Sequence, residues 1–231
     1  FSVDLLKGHF ENYLIIFKNF KIGQYLFNTL LVTVLKLVFT MPLAIFASYA
    51  FAKLRFRGKN AMYPLIISAM FIPFQVIMIP VYTMLTKLHM IDTYRGLILV
   101  TGTIGIPSSI MLLSSSFRSI PNELLEAAAI DGCGYFRKIF HIMIPMGKPA
   151  IAICTIMGFI SSWNDLLPPM VIIKSVNKRL VMPALDGLVS MYNADTPFQL
   201  TGILIAAVPA IAIYLILSKQ IIMGISAGST K

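Results

Sequence analysis

Apolar residues run in long stretches along this chain, and polar residues are confined to short segments between them. Five stretches stand out, at about Tyr25–Ala52, Ala61–Leu85, Gly96–Phe117, Pro149–Ile173 and Leu200–Leu217. A bilayer core takes about 20 consecutive, mostly apolar residues per crossing helix, and each stretch is long enough to cross with some tilt. Backbone in lipid must satisfy its own hydrogen bonds, which selects helices. The alternation that marks a membrane β-barrel is absent. The pattern therefore predicts an all-α, polytopic transmembrane helical bundle, one domain over residues 1–231.

Composition agrees. The 231 residues are 58% hydrophobic and 12% charged, against about 25% charged in a soluble domain. Cys133 and Cys154 imply no disulfide framework. The net charge of +10 raises the question of nucleic acid. No aromatic-basic cluster supports that, and dispersed cations beside a membrane explain the charge better.

Lys and Arg in short loops set orientation. The loop from Lys53 to Lys59 holds four cations in seven residues, the strongest cytoplasmic marker in the chain. Alternation then places 118–148 and the tail 218–231 on the same side. The inside segments carry ten Lys and Arg, and the outside segments (1–24, 86–95, 174–199) carry eight, so the assignment rests on the short loop. A cytoplasmic C-terminus with five spans puts residue 1 outside. The first residue is Phe1, and no signal segment precedes the first span. The expectation is a chain without its natural start, with six spans in the full protein. Prolines and glycines punctuate the spans, either as ordinary kinks or as hinges beside a pathway.

The polar connector at 118–148 is the most informative segment. Pro121 suits a first helical turn, and Glu123 and Glu126 complement the early helix dipole. Leu124 to Ala129 have strong helix propensity. Gly132-Cys133-Gly134 breaks the helix, since Gly takes the φ > 0 conformation that ends one. A second short amphipathic helix follows from about Tyr135 to Met143, and Pro145 closes it. Small Ala127 and Ala128 leave a flat surface against which a partner seats. From these residues alone, an amphipathic loop lying on lipid headgroups stands equally open.

The connector resembles the Glu-Ala-Ala loop of binding-protein-dependent ABC importer permeases. That pattern is Glu-Ala-Ala, three residues, Gly, nine residues, Ile, one residue, Leu-Pro. Here Glu126-Ala127-Ala128, Gly132, Ile142 and Ile144-Pro145 match it, with Ile144 in the Leu place. Segments at 50–60, 72–76, 79–80, 117–121, 162–165 and 224–231 are similar to the maltose-type sugar permeases, closest to the second of the two permease subunits. The resemblance covers nearly the whole chain.

It implies the ABC importer permease fold with a cytoplasmic coupling-helix loop, in a bacterial or archaeal cell membrane. It implies a second permease subunit, two ATPase subunits that dock below, and an external solute-binding protein that delivers a carbohydrate. Glu126, Ala127, Ala128, Asp131 and Gly132 would belong to the ATPase contact, with Glu126 as polar anchor and Gly132 as the turn. This chain would be a transport subunit, not an enzyme. It would bind no cofactor, with ATP and magnesium held by the ATPases. The sequence has no Gly-x4-Gly-Lys-Ser/Thr. His9, His89 and His141 show no metal-binding spacing, and no nucleophile with its base is legible.

Polar residues inside the spans are the remaining candidates. Lys36 lies mid-span, where a charge is costly unless it faces a cavity or a partner. It reads either as part of the substrate pathway or as a snorkelling or packed lysine. Trp163, Asn164 and Asp165 suit sugar stacking and hydroxyl bonding, or else an interfacial anchor at a helix end. Gln75, between Pro73 and Pro80, would line the pathway or bond across helices. Lys174, Lys178 and Arg179 lie in the outside loop, which in the family faces the binding protein. A polyol, or a glycerol or sugar phosphate, is the alternative substrate. A secondary transporter working without an ATPase is the more distant alternative, and it has no need of a docking helix pair.

Overall fold

The structure is a computed structural model that describes residues 10–191 and 196–228. Ser229, Thr230 and Lys231, which end the family-like C-terminal segment, lie outside the described residues. In chain order the helices are α1 (Phe10–Asn19), α2 (Ile22–Lys53), α3 (Lys59–Ser68), α4 (Phe74–Lys87), α5 (Tyr94–Ser119), α6 (Asn122–Ile130), α7 (Tyr135–Lys138), α8 (Ile144–Met146), α9 (Lys148–Trp163), α10 (Leu167–Ile172), α11 (Val181–Met191) and α12 (Thr196–Gly228). A π-helical turn at Ile139–Met143 joins α7 to α8. Three helices are long and apolar enough to cross a membrane, or up to five spans if each of two bent pairs is one span.

Helix α2 is the spine. At 32 residues it is about 48 Å long, and it packs along α5 and against α9 and α11. Its outer surface is apolar: Phe27, Leu30, Val34, Leu35 and Val38 are exposed. Its buried face carries Thr29, Thr33, Lys36 and Thr40. These stand four, three and four residues apart, so they share one face. Apolar side chains face outward and polar ones inward, as expected where lipid replaces water. Gly102 marks the closest approach of α2 and α5, because a Cβ there would stand 2.7 Å from the Phe39 ring.

The second apolar stretch departs from its expected single helix. It forms α3, a 3-10 turn at Ala69–Phe71, and α4, bent by 97°. Pro73 supplies the reason. Proline disfavours helical geometry in the residue before it, and Ile72 and Pro73 are both extended. Helix α3 has no buried residue and α4 buries only Leu85, so the bent pair lies on the flank of the bundle.

The fourth stretch is also divided. Helix α9 ends at Trp163, and α10 begins beside Pro168-Pro169; prolines so placed cannot continue the previous helix. The outside loop 174–199, for which no helix was expected, carries α11. Val181, Leu185 and Leu188 recur at helical spacing and are buried with Ile16, Phe159 and Phe198. Helix α1 was likewise not expected.

Candidate functional site

The connector forms the two-helix bend that its residues predict, but Pro145 does not close the second arm. After the π turn the chain stays helical through Pro145, which sits in the first turn of α8 where its missing N–H costs nothing. Helix α6 ends in a glycine turn: the Cys133 N–H donates to the Ala128 carbonyl (2.8 Å) and the Gly132 N–H to Ala129 (3.0 Å). This double closure needs a left-handed residue just past the helix, and Gly132 supplies it at φ +76°. The segment Tyr135–Met146 then meets α9 at 79°. Glu126, Ala127, Asp131 and Gly132 are exposed, whereas Ala128 is buried. Of the two alanines expected to form a flat outer surface, only Ala127 faces outward. Ala128, three residues after the buried Leu125, turns toward the bundle.

Sequence reasoning missed the apolar part of this surface. Ile130 is 88% exposed, and Tyr135, Phe136 and Phe140 are also exposed. Large apolar side chains within an otherwise polar connector were the available signal. Sequence reasoning also missed the clamp that ties the connector to α2. The Lys53 ammonium donates to the carbonyls of Ile120 and Arg118 (3.4 Å for the latter) and to Asn122 Oδ1 (2.8 Å). Phe46 on α2 meets Phe136 and Phe140 edge-on, at centroid distances of 6.0 and 6.2 Å.

A second feature lies within the helices. A cavity of about 390 Å³ sits among α2, α5 and α9, with Met70 from the bend after α3. Lys36 and Thr40 line it from α2, Ser108 and Ser109 from α5, and Cys154 and Ser161 from α9. Lys36 is 6% exposed, and its Nζ lies 3.4 Å from Asp165 Oδ2. Beside this pair, Thr33 donates to the Ser162 hydroxyl at 3.2 Å. Residues 129 apart in sequence are thus joined by an ion pair and a hydrogen bond.

The other intramembrane candidates separate. Trp163 is 2% exposed, stacked on Phe159 (5.5 Å, 16°), with its indole N–H donated to the Ala206 carbonyl at 3.0 Å. The indole N–H ties α9 to α12 and one ring face stacks within α9, so Trp163 sits as a packed anchor at the edge of a hollow and does not line the Lys36 cavity. Asn164 caps α9 by donating to the Ile160 carbonyl, and it borders a separate hollow of about 490 Å³ between α9, α11 and α12. Gln75 is exposed on α4 and is not among the residues lining the Lys36 cavity.

Two of the outside loop cations, Lys174 and Lys178, are held in place. Asp92 gathers the loop: its carboxylate accepts from the Lys174 and Ser175 N–H groups (3.0 and 2.9 Å), the Ser175 hydroxyl and Lys178 Nζ (3.2 Å). The Ser175 hydrogen bonds hold its carboxyl well below the usual carboxylate range. Lys174 Nζ also donates to the Tyr82 hydroxyl at 2.7 Å. Gln24 and Asn28 donate to the Asn177 carbonyl from α2, completing the knot.

Comparison with known proteins places this geometry in context. Residues 40–225 match the family described as binding-protein-dependent transport system inner membrane component. The arabinooligosaccharides transport system permease protein AraQ of Bacillus subtilis is 30% identical, aligning 96% of this chain with 79% of its own length. The diacetylchitobiose uptake system permease protein NgcG of Streptomyces coelicolor is 29% identical over 95% of this chain and 74% of its own. Among solved structures, a chain of a bacterial ABC transporter involved in import of the acidic polysaccharide alginate shares the fold. Its TM-score is 0.78 at 25% identity, covering 91% of this chain and 79% of that one.

Proposed function

The chain belongs to the family of binding-protein-dependent transport system inner membrane components, and from that premise we propose that it is one permease subunit of an ATP-driven carbohydrate importer. It is a multi-pass membrane protein. In this reading it forms half of the pathway with a second permease, over residues 1–231 as one domain. Two ATPase subunits hold ATP and magnesium beneath it, at the cytoplasmic side where its C-terminus lies. An external solute-binding protein delivers the sugar, and this chain itself catalyses nothing.

One observation carries the coupling role. The connector 118–148 presents Glu126, Ala127, Asp131 and Gly132 outward, beside the exposed apolar group of Ile130, Tyr135 and Phe136. A folded surface of that mixed kind suits a soluble partner. Ala128 supports it from behind. The Lys53 clamp and the seat of Gly147 against Phe117 give the connector a mechanical path into α2 and α5. Both helices line the cavity with Lys36. Movement of the connector by closing ATPases would therefore be felt at the cavity. The substrate class is supported by the two relatives, a permease for arabinooligosaccharides and one for diacetylchitobiose.

Affinity purification of the full importer from detergent, with mass spectrometry, tests the reading. Recovery of a second permease and an ATPase whose turnover rises with sugar and binding protein is the expected result. Recovery of this chain alone, moving solute in liposomes without ATP, would replace it with a self-sufficient carrier.

A further inference from the structure

The polar groups of the cavity are biased toward one kind of guest. Three lining hydroxyls have committed their protons to backbone carbonyls. Thr40 donates to Gly102 (3.2 Å), and Ser108 and Ser109 donate to Gly105 (3.1 and 2.9 Å). Such oxygens are left with lone pairs, so they accept. Lys36 is a donor only. Its charge is opposed by Asp165 at 3.4 Å, which is not itself among the lining residues. In a lining that is otherwise largely apolar, with Leu37, Met41, Met70, Met111, Leu112 and Met157, the cavity thus offers three acceptors, the Ser161 hydroxyl, one cationic donor, and a counter-charge behind that donor.

We propose that this cavity takes an uncharged, polyhydroxylated solute, and that Asp165 sets this preference by cancelling Lys36. The proposal rests on reading the cavity as part of the pathway. An uncharged polyol matches both halves of the site: its hydroxyls donate to the three oxygens and accept from Lys36. An anionic sugar carries an oxyanion that the lone pairs repel. Its attraction to Lys36 is offset by Asp165, and it gives up a strong hydration shell on entry. Asp165 acts here as a positioning residue, through Lys36.

The test measures charge selectivity inside the cavity of the assembled importer. With Cys133→Ser and Cys154→Ala removing the native thiols, Ser161→Cys places a reporter on the lining, read by the mass of this chain. Anionic sulfonatoethyl and cationic trimethylammonioethyl methanethiosulfonates are compared. The anion-to-cation rate ratio should lie within about threefold of that at the half-buried connector thiol Cys133 measured alone. Asp165→Asn should raise it roughly tenfold, from one uncompensated charge at close range. Lys36→Met should lower it by a similar factor, and the double variant should restore it. If Asp165→Asn fails to assemble, Lys36→Met still reads the effect in the opposite sense.

Maltotriose should slow the labelling and trigalacturonate should not, with trigalacturonate becoming protective in Asp165→Asn. A ratio indifferent to both charge changes overturns the proposal, as does equal protection by the two sugars or protection by neither. The measurement needs no transport. A complex lacking sugar-stimulated ATP turnover would sink the importer reading while leaving this result standing.

Discussion

The connector and the cavity were built by different rules. Every residue of the connector lies within 118–148, and its shape follows from neighbours: an acidic first turn, alanines, then a glycine that closes α6 at φ +76°. The cavity draws on residues 36, 40, 108, 109 and 161, brought together only when α2 packs on α5 and α9. One is a surface defined by local conformation, the other a volume defined by packing. Damage should therefore take two forms. In the cavity it should appear as lost stability or altered selectivity; at the connector, as lost coupling in a bundle that remains folded.

The largest effect is expected at the ion pair. Asp165→Asn leaves Lys36 buried with its charge uncompensated, at a cost of about 3 kcal/mol for a charge held mid-membrane. Lys36→Met strands Asp165 in the same way. The double variant removes both charges and should recover most of the loss. Thermal unfolding of the purified complex in detergent reads this directly. Equal melting temperatures for the two single variants and wild type would show that water reaches the pair, and the contrast with the connector would collapse.

Gly132→Val ranks next and should behave in the opposite way. No atom lies within 4 Å of a Cβ built there, so the penalty is conformational, about 1–2 kcal/mol for a left-handed branched residue. The turn should re-form in another shape, and ATP-driven uptake should fall at least tenfold while bundle yield and melting hold. Gly132→Asn, which tolerates that region, should keep most activity. Glu126→Lys tests the same surface by charge, with ATPase co-purification as its readout. Normal import by both Gly132→Val and Glu126→Lys would remove the connector from the coupling role.

A smaller effect links the two regions. Lys53→Met removes the donors that fasten Ile120, Arg118 and Asn122 to the end of α2. The group is partly exposed, so the loss of stability should be about 1 kcal/mol or less. ATP turnover should continue while uptake per ATP drops severalfold, because the connector moves without carrying α2. An unchanged transport-to-hydrolysis ratio would mean that force enters through the Gly147–Phe117 seat instead.

The same contrast explains what was legible beforehand. The first helix and the glycine turn of the connector were legible because capping, propensity and glycine chemistry are local rules, whereas the π turn, the helical run through Pro145 and the burial of Ala128 depend on packing against the bundle. The exposed Ile130, Tyr135 and Phe136 were overlooked, although they stand out in a polar connector, because propensity and capping rules do not say which side of a short helix faces the bundle. Span ends were placed to within a few residues for α2 and α5. The second stretch was read as one helix, although Pro73 already stood where the chain turns by 97°. Lys36 was singled out as costly, but its partner lies 129 residues away, and no periodicity connects the two. Trp163 was left between sugar stacking and an anchor, because its buried setting depends on the Ala206 carbonyl of α12, to which no local pattern points.

The smallest effect is expected at the outer knot, which belongs to neither region and so serves as the reference. Asp92→Asn keeps the shape of the side chain but weakens its acceptance from Ser175, Lys174 and Lys178, for a loss of roughly 1 kcal/mol at a partly exposed site. Its pH dependence has a definite sign. The folded state holds this carboxyl below its ordinary value, so its stabilising contribution is complete above the unfolded pKa of about 3.9. That contribution declines as pH falls through this value toward the depressed one. The melting gap between wild type and Asp92→Asn should therefore be flat from about pH 8 to pH 5 and narrow only below about pH 4. A gap that instead changed between pH 8 and pH 5 would point to a group other than Asp92. Sugar transport at neutral pH should be nearly unchanged, because the knot lies away from the Lys36 cavity and from the connector. A transport loss as large as that of Gly132→Val would mean that coupling extends to the outer face, and the two-region contrast would have to include a third.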